Sequence, residues 1–319
     1  MRKALVTGGA GFIGSHVVEA FVRAGFAVTV VDNLSSGFRK NLVVDVPLRV
    51  IDVASAEMAP LVRDGGFAVI AHLAAQTDVR KSVDDPVHDA TVNVIGILNI
   101  LEGVRAMPPG SRPRIVFAST GGALYGETTQ LPTPESAPAN PDSPYGIAKL
   151  ASEYYLAYYG RLWGVDGVAL RFGNVFGPRQ NPDGEAGVIA MFGGRILRNE
   201  TLYIYGTGKQ TRDYVYVSDV ADAFVAAATQ PIPKAGELTA RAFNIGTGVE
   251  TSVSALATML AAVTSTSSVI EHRPQRAGEV SRSVLDAGKA QTLLGWSPKV
   301  DLRQGLAHTF AWIKSRGKA

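Results

Sequence analysis

The first 172 residues alternate between short runs rich in β-branched residues, such as "KALVTGG" and "FAVTVVDN", and longer segments with the apolar spacing of helices. The strand-like runs are apolar throughout instead of alternating between apolar and polar residues. Strands of this kind are buried on both faces, which is typical of a parallel sheet covered by helices on both sides. The pattern therefore predicts a doubly wound α/β fold.

After about residue 173 the chain turns to loops rich in glycine and proline and to shorter elements. Within this part, "RDYVYVSDVADAFVAAA" and "AFNIGTG" still predict a strand, a helix and a further strand. We expect a Rossmann domain of residues 1-173 plus about 212-246, and a smaller, discontinuous C-terminal α/β lobe of about 174-211 and 247-319. The small lobe would lie over the carboxyl edge of the sheet and form one wall of a ligand crevice.

The composition narrows the classes of function. The 319 residues carry a net charge of +3, and the basic residues form no blocks, so we expect no nucleic-acid partner. Cysteine is absent and the five histidines form no paired metal motif, so we expect no metal. No apolar run approaches the roughly 18 residues of a membrane span, and the N-terminus does not read as a signal peptide. We therefore expect a cytoplasmic protein with no membrane partner.

The segment "VTGGAGFIGSH" puts Gly8, Gly11 and Gly14 between the first predicted strand and the first helix. Glycines at this point allow a tight turn and let backbone N–H groups approach a pyrophosphate at the helix N-terminus, which predicts dinucleotide binding. Asp32 ends the second strand, where a carboxylate binds an adenosine ribose and repels a 2′-phosphate, so NAD is favoured over NADP. Asp32 as the cap of a turn is the alternative. Arg39, a few residues further on, would weaken the preference for NAD.

Tyr145 and Lys149 stand four residues apart at the start of a long, largely apolar helix. Residues at this spacing are neighbours on any helix, and lysine often lays its methylene groups along an aromatic ring. The pair alone therefore does not predict catalysis.

Together these motifs resemble the extended short-chain dehydrogenase/reductase family, and within it the nucleotide-sugar epimerases of the UDP-glucose 4-epimerase type. The resemblance runs from residue 2 to about 300. It rests on the glycine loop, on "DN" at 32–33, "DV" at 52–53 and "HLAA" at 72–75, on "FAST" before "LYG", and on Tyr145-x-x-x-Lys149.

The resemblance implies a tightly held NAD in the first lobe and a UDP-sugar in the second. It assigns cofactor binding to the glycine loop, to the segments after the second and third strands, to "HLAA", to one helical asparagine and to the catalytic pair: Gly8, Gly11, Phe12, Ile13, Gly14, Asp32, Asn33, Ser35, Gly37, Asp52, Val53, Leu73, Ala74, Ala75, Asn93, Tyr145 and Lys149.

The resemblance also implies the catalytic roles. The ammonium of Lys149 would lower the pKa of Tyr145, which would then act as general base toward a sugar hydroxyl while hydride leaves to NAD. A hydroxyl at the end of the fifth strand would bridge the sugar and the tyrosine. The match falls on Thr120, with Ser119 as the alternative.

For the substrate, the resemblance points to Asn174 at the sugar or first phosphate and to Arg212 and Arg276 at the diphosphate. A surface ion pair, for instance between Arg212 and Asp213, is the alternative. Ser283 falls where the family borders the sugar's C2 substituent, and its small size favours accepting an N-acetyl group.

Several reactions of the family stay open at this point. Dehydratases follow the catalytic threonine with an acidic pair, but here Gly121 and Gly122 follow Thr120. Decarboxylases have other residues between the tyrosine and the lysine. UDP-glucuronate 4-epimerisation, with Arg282 or a nearby arginine at the carboxylate, a sugar reductase, and a non-catalytic NAD-binding sensor remain as alternatives. The broad apolar surface of the tyrosine helix, with the helix at 88 to 106, predicts a homodimer through a four-helix interface.

Overall fold

The computed structural model describes residues 1–182, 187–233, 237–275 and 280–316. Its strands, in chain order, are β1 (Lys3–Thr7), β2 (Ala27–Val31), β3 (Leu48–Arg49), β4 (Val69–His72), β5 (Arg114–Thr120), β6 (Gly167–Phe172), β7 (Asn174–Phe176), β8 (Leu202–Tyr205), β9 (Thr211–Tyr216), β10 (Ala242–Ile245), β11 (Glu250–Ser252) and β12 (Ile270–Arg273).

The helices are α1 (Phe12–Arg23), α2 (Met58–Asp64), α3 (Val79–Asp84), α4 (Pro86–Ala90), α5 (Gly96–Arg105), α6 (Pro144–Trp163), α7 (Val188–Leu197), α8 (Val217–Thr229), α9 (Val253–Thr264), α10 (Gly288–Leu294) and α11 (Leu302–Arg316). A π-helical segment, Thr91–Ile95, joins α4 to α5, and short 3₁₀ turns occupy Arg39–Asn41, Pro109–Ser111 and Thr239–Arg241. Within the described ranges, no helix is both long and apolar enough to cross a membrane.

Seven parallel strands form the central sheet, in the order β10-β6-β5-β4-β1-β2-β3. The chain starts at β1, adds β2 and β3 on one side, and then crosses to β4, β5 and β6 on the other. The carboxyl ends of β1 and β4 therefore flank the point where the strand order reverses, which is where open α/β sheets bind ligands. The predicted doubly wound fold is confirmed, and its third strand, β3, has only two residues.

Two apolar clusters cover the central sheet, one on each face. The first contains Phe21, Phe224 and Phe243 and lies where α1 packs against α8. The second contains Ile70, Ile97 and Leu156 and lies under α2, α5 and α6. Because both faces are covered, strands that are apolar throughout are the expected sequence.

The remaining strands form two small sheets beside the central one. β9 lies between β7, to which it is parallel, and β11, to which it is antiparallel, while β8 pairs with β12. Of the segment 212-246, which we expected in the Rossmann domain, α8 packs on the central sheet and β10 joins its edge. The strand β9, from the same segment, belongs to the small three-stranded sheet. The division of the chain into two lobes stays a prediction.

A buried histidine joins β1 to β4 near their carboxyl ends. The Nδ1 atom of His72 lies 2.7 Å from the hydroxyl of Thr7, and the ring stacks on Phe117. Burial, with a smaller contribution from the charge of Lys149, lowers the pKa of His72 to about 3. This region is therefore built around a neutral imidazole.

We expect His72→Gln to flatten the acid limb of the stability curve. An unfolded histidine takes up its proton near pH 6.5, whereas the folded one does so only near 3. The free energy of unfolding should therefore fall as the pH drops below 6.5, by up to about 1.4 kcal/mol for each pH unit, and the variant should lose that part of the slope. Urea unfolding between pH 7 and pH 4 measures both slopes, and parallel curves would contradict the assignment.

Candidate active site

The loop after β1, here called the glycine cradle, requires glycine at Gly8 and Gly14. Gly8 has φ +69°, and a Cβ on it would lie 2.6 Å from the backbone nitrogen of Ala74. A Cβ on Gly14 would lie 2.0 Å from the carbonyl oxygen of Gly8. The first turn of α1 is therefore pressed against the loop, with the orphan N–H groups of its N-terminus at the carboxyl edge of the sheet.

Asp32 is buried at the end of β2 and holds two backbone segments. Its Oδ2 accepts from the N–H of Ala10 in the glycine loop at 2.9 Å, and its Oδ1 accepts from the N–H of Leu34 at 2.8 Å. The turn-capping alternative is thus present in the structure. Each carboxylate oxygen still has a lone pair to offer, so the cap does not exclude the predicted ribose contact. Gly37 leaves room beside it, because a Cβ there would lie 2.9 Å from Oδ1.

The other predicted cofactor residues line the same edge of the sheet. The side-chain amide of Asn33 donates to Asp52 at 2.8 Å and accepts from the N–H of Ser35 at 3.0 Å. The N–H of Leu73 donates to the carbonyl oxygen of Thr7, the residue just before the glycine loop. The remaining predicted residues flank these positions along the chain, at the start of α1, after β3 and β4, and in the π-helical segment: Phe12, Ile13, Val53, Ala75 and Asn93.

These features fit a dinucleotide. The loop after β1 has glycines where a Cβ would clash with neighbouring backbone, and a carboxylate lies at the end of the second strand. The same pattern fits NAD better than a cofactor with a 2′-phosphate.

The start of α6 packs closely against the segment that follows β5. Ser143 caps the helix by accepting from the N–H of Gly146 at 3.2 Å, and Pro144 occupies the first turn. A Cβ on Gly146 would lie 2.4 Å from the carbonyl oxygen of Ala123. Glycine after Tyr145 therefore lets the helix approach the turn in which Thr120 accepts from the N–H of Ala123. The two predicted catalytic residues are held on adjoining segments.

Lys149 is buried one helical turn beyond Tyr145. Its ammonium donates to the carbonyl oxygen of Ala118 at 3.0 Å and lies 5.8 Å from the centre of the Tyr145 ring. Burial lowers the pKa of Lys149 to about 8, although the carboxylates of Asp89 and Glu153 act in the opposite direction. The lysine therefore holds its charge at neutral pH against a desolvation penalty.

In this arrangement the net shift of the Tyr145 pKa is upward, and the activation of Tyr145 by Lys149 stays a prediction. Burial raises the pKa of the Tyr145 phenol, and the negative charge of Asp89 raises it further. The physical reason is that the phenolate would be desolvated and would face a carboxylate, while the ammonium is hydrogen-bonded to Ala118.

Ser119 does not share the position of Thr120. Its hydroxyl donates to Glu153 at 2.5 Å, and Glu153 in turn forms a bidentate ion pair with Arg171. Consecutive residues of a strand point to opposite faces, so only one of the two hydroxyls can face the ligand edge in this way. Thr120 remains the predicted bridging hydroxyl.

Three of the predicted substrate residues lie in described segments that follow β6 along the chain. A Cβ on Gly122 would lie 3.9 Å from Oδ1 of Asn174. The N–H of Ser283 donates to the carbonyl of Thr211 at 3.2 Å, and the neighbouring guanidinium of Arg212 donates to the same carbonyl at 2.8 Å. Arg276 lies outside the described residues.

Asp213 serves to hold the loop between β10 and β11. It accepts from the backbone and hydroxyl of Thr247 and from the N–H groups of Gly248 and Leu285. This network packs the 281–286 segment against the site, since a Cβ on Gly121 would lie 2.6 Å from Leu285.

Sequence reasoning missed three buried charged residues near the predicted catalytic pair: Asp89, Glu153 and Arg171. Glu153 follows Lys149 by four residues, and Asp89 precedes Asn93 by four. For Asp89 and Glu153 that spacing was the available signal, because it places each of the two on the same helix face as a predicted site residue.

Comparison with known proteins agrees with this geometry. A family model described as GDP-mannose 4,6 dehydratase matches residues 5–309. The UDP-glucose 4-epimerase of Mycolicibacterium smegmatis is 42% identical over an alignment of 321 positions that covers 99% of this chain and 100% of the relative. The chain therefore belongs to the GDP-mannose 4,6 dehydratase family, within the extended short-chain dehydrogenase/reductases.

Two solved structures resemble the whole chain. The UDP-glucose 4-epimerase of Thermotoga maritima with UDP-glucose superposes with a TM-score of 0.92 at 42% identity, covering 98% of this chain and 99% of that one. The UDP-glucose 4-epimerase of Thermus thermophilus in complex with NAD gives 0.89 at 39% identity, covering 99% and 100%. The predicted family is confirmed.

We expect Gly14→Ala to remove bound NAD, because its methyl group would collide with the carbonyl of Gly8 and push α1 from the loop. Overpacking of this kind costs about 1–3 kcal/mol, so about tenfold or more of the cofactor affinity should be lost. NAD released by heating the purified protein measures this. Gly110→Ala, where a Cβ meets nothing within 4 Å, is the control. Equal NAD content in the two variants would contradict the prediction.

Proposed function

We propose that this protein catalyses the NAD-dependent 4-epimerisation of a UDP-hexose, with UDP-glucose and UDP-galactose as the first pair. The observation that carries the proposal is the junction of the glycine cradle with Tyr145, Lys149 and Thr120 at one edge of the sheet. A hydroxyl, a phenol and an ammonium beside a dinucleotide site are the groups that reversible oxidation of a sugar alcohol requires.

Bound in this cradle, NAD supplies the acceptor and donor of the hydride. Tyr145 takes the proton of the sugar's 4-hydroxyl and later returns it. The charge of Lys149, held at neutral pH, stabilises the phenolate in that exchange. The Thr120 hydroxyl orients the sugar hydroxyl toward Tyr145. The 4-ketose stays in the site, turns over, and is reduced on its other face.

The residues after Thr120 argue against loss of water. Gly121 packs on Leu285, and Gly122 has no side chain with which to move a proton. A dehydration needs an acid and a base there, so epimerisation is the reaction that these residues support. Arg282, considered above for a uronate carboxylate, forms a bidentate ion pair with Glu250. That pairing disfavours UDP-glucuronate as the substrate.

The N-acetylated sugar pair is a second candidate substrate. Ser283 is partly buried in the segment that packs beside Gly121 through Leu285, and its side chain is small. Room for an N-acetyl group at C2 would follow if this segment borders the sugar.

The test is incubation of the purified protein with UDP-glucose, UDP-N-acetylglucosamine or UDP-glucuronate, without added NAD. Anomeric proton NMR follows the appearance of the C4 epimer. We expect conversion of UDP-glucose. If only UDP-glucuronate is converted, it is the substrate in place of UDP-glucose. If no sugar is converted, even with NAD supplied, the proposed epimerase activity is refuted.

We expect Tyr145→Phe to lower turnover by about 10²–10⁴-fold, because the proton of the sugar hydroxyl loses its acceptor. The bound NAD should remain, since the substitution removes one hydroxyl. Tyr155→Phe removes a hydroxyl from an exposed position of the same helix and should keep full activity. Equal activity of the two variants would contradict the role of Tyr145.

We also propose that the protein is a homodimer. Large apolar side chains lie exposed on α6 and on the neighbouring α3, α4 and π-helical segments: Ile147, Tyr154, Tyr155, Tyr158, Leu162, Val83, Val87 and Ile95. A continuous apolar surface on adjacent helices is typical of an interface. A second copy, through its own two helical segments, would complete a four-helix bundle.

We expect Leu162→Glu to shift the protein toward monomer, because a charge would be buried at an apolar contact. Sedimentation velocity at one protein concentration compares it with the parent protein. Val43→Glu introduces the same charge at another exposed apolar residue, away from these helices, and should leave the dimer intact. A parent protein that sediments as a monomer would refute the dimer.

A further inference from the structure

Asp89 is a buried carboxylate that the proposed mechanism does not use. It lies on α4 and is 1% exposed. Its Oδ1 accepts from the side-chain amides of Gln76 at 2.8 Å and Asn93 at 3.0 Å, and its Oδ2 has no hydrogen-bond partner. Both of its partners are neutral. A buried carboxylate in this setting carries a large desolvation penalty, which calls for a compensating charge nearby.

The segment that carries Asp89 packs against α6, the helix of the proposed catalytic pair. α4 packs against α6, and the hydroxyl of Ser152 donates to the carbonyl of Asn93 at 3.1 Å. Lys149 and Ser152 are three residues apart and therefore share one face of α6. The face that carries the catalytic lysine is thus docked on the segment that holds Asp89.

The charges around Asp89 come from several elements. α6 contributes Tyr145, Lys149 and Glu153, and β4 contributes His72, which burial keeps neutral. Glu153 is paired with Arg171 and makes a smaller contribution than Asp89 to the pKa of Lys149. On α3 the charged side chains are exposed to solvent: Arg80, Lys81 and Asp84. Among the described residues, Lys149 is the buried cation on the face of α6 that packs against this segment, and Asp89 raises its pKa against the effect of burial.

We propose that Asp89 is the counter-charge of the Tyr145–Lys149 pair, a positioning residue that keeps the ammonium of Lys149 charged inside the buried site. The inference rests on the proposed function, because it assigns a partner to the proposed catalytic pair. The same charge also opposes ionisation of Tyr145, so the phenol stays protonated in the resting enzyme. The residue thus favours the resting form, a neutral phenol beside a charged lysine.

A purely structural role would make a different prediction. The two hydrogen bonds that Asp89 forms are both accepted by Oδ1, which an asparagine would retain. Asp89→Asn therefore removes the charge and keeps the shape and the bonded oxygen. A purely structural role therefore predicts that Asp89→Asn leaves the titration of Lys149 unchanged, whereas loss of a counter-charge shifts it.

The experiment titrates Lys149 directly by NMR of protein labelled with ¹³C at the lysine ε-carbons. The Lys149 signal is assigned by its absence in Lys149→Met. Asp89→Asn should move the titration midpoint of Lys149 downward by about one pH unit, from near 8 in the parent. Asp84→Asn removes an exposed carboxylate one helix away and should leave the midpoint unchanged. Asp89→Glu should return it toward the parent value.

The alkaline limb of epimerase activity gives the second readout. In Asp89→Asn the fall in turnover with rising pH should begin about one unit lower, because the lysine loses its proton earlier. An unchanged Lys149 midpoint overturns the inference, as does a lowered melting temperature without a shifted midpoint. The titration needs no turnover, so absence of epimerase activity would refute the proposed function without deciding this result.

Discussion

A buried ion pair between α6 and the central sheet positions the site. Arg171 on β6 and Glu153 on α6 are each 1% exposed and are joined by hydrogen bonds that include two of 3.0 and 2.6 Å. Ser119 and Tyr125 satisfy further atoms of the pair. Such a pair tolerates burial only when its remaining groups are bonded, as they are here. Because Lys149 precedes Glu153 by one turn, the register of this pair sets where the ammonium meets β5.

Two other buried charged groups near this ion pair, Lys149 and Asp89, are less well compensated. Lys149 donates to a carbonyl, and Asp89 is bonded only to amides. Groups of this kind reduce stability, and they are expected where chemistry needs a perturbed proton affinity. The surroundings shift the pKa values of the two proposed catalytic groups in opposite directions: that of Lys149 is lowered and that of Tyr145 is raised.

The close approach of backbone segments is the second constraint. Gly8 lies against Ala74 of the next sheet position, and Gly146 lets the start of α6 meet Ala123. The first contact was predictable, because the glycine spacing after a strand marks a phosphate loop wherever a helix follows. The second was not, since a glycine inside a helix carries no signal of what will pack on it.

The sequence by itself determined the doubly wound sheet, the glycine loop and the pairing of Tyr145 with Lys149, because each is encoded in local spacing along a strand or helix. Only the tertiary structure decided that Ser119 turns toward Glu153, and that the charge of Asp89 acts on a lysine sixty residues further along the chain. The pKa shifts of Lys149 and Tyr145 were likewise decided only by the tertiary structure. They depend on burial and on charges brought from separate elements, so the direction for Tyr145 emerged only once helix and sheet were packed together.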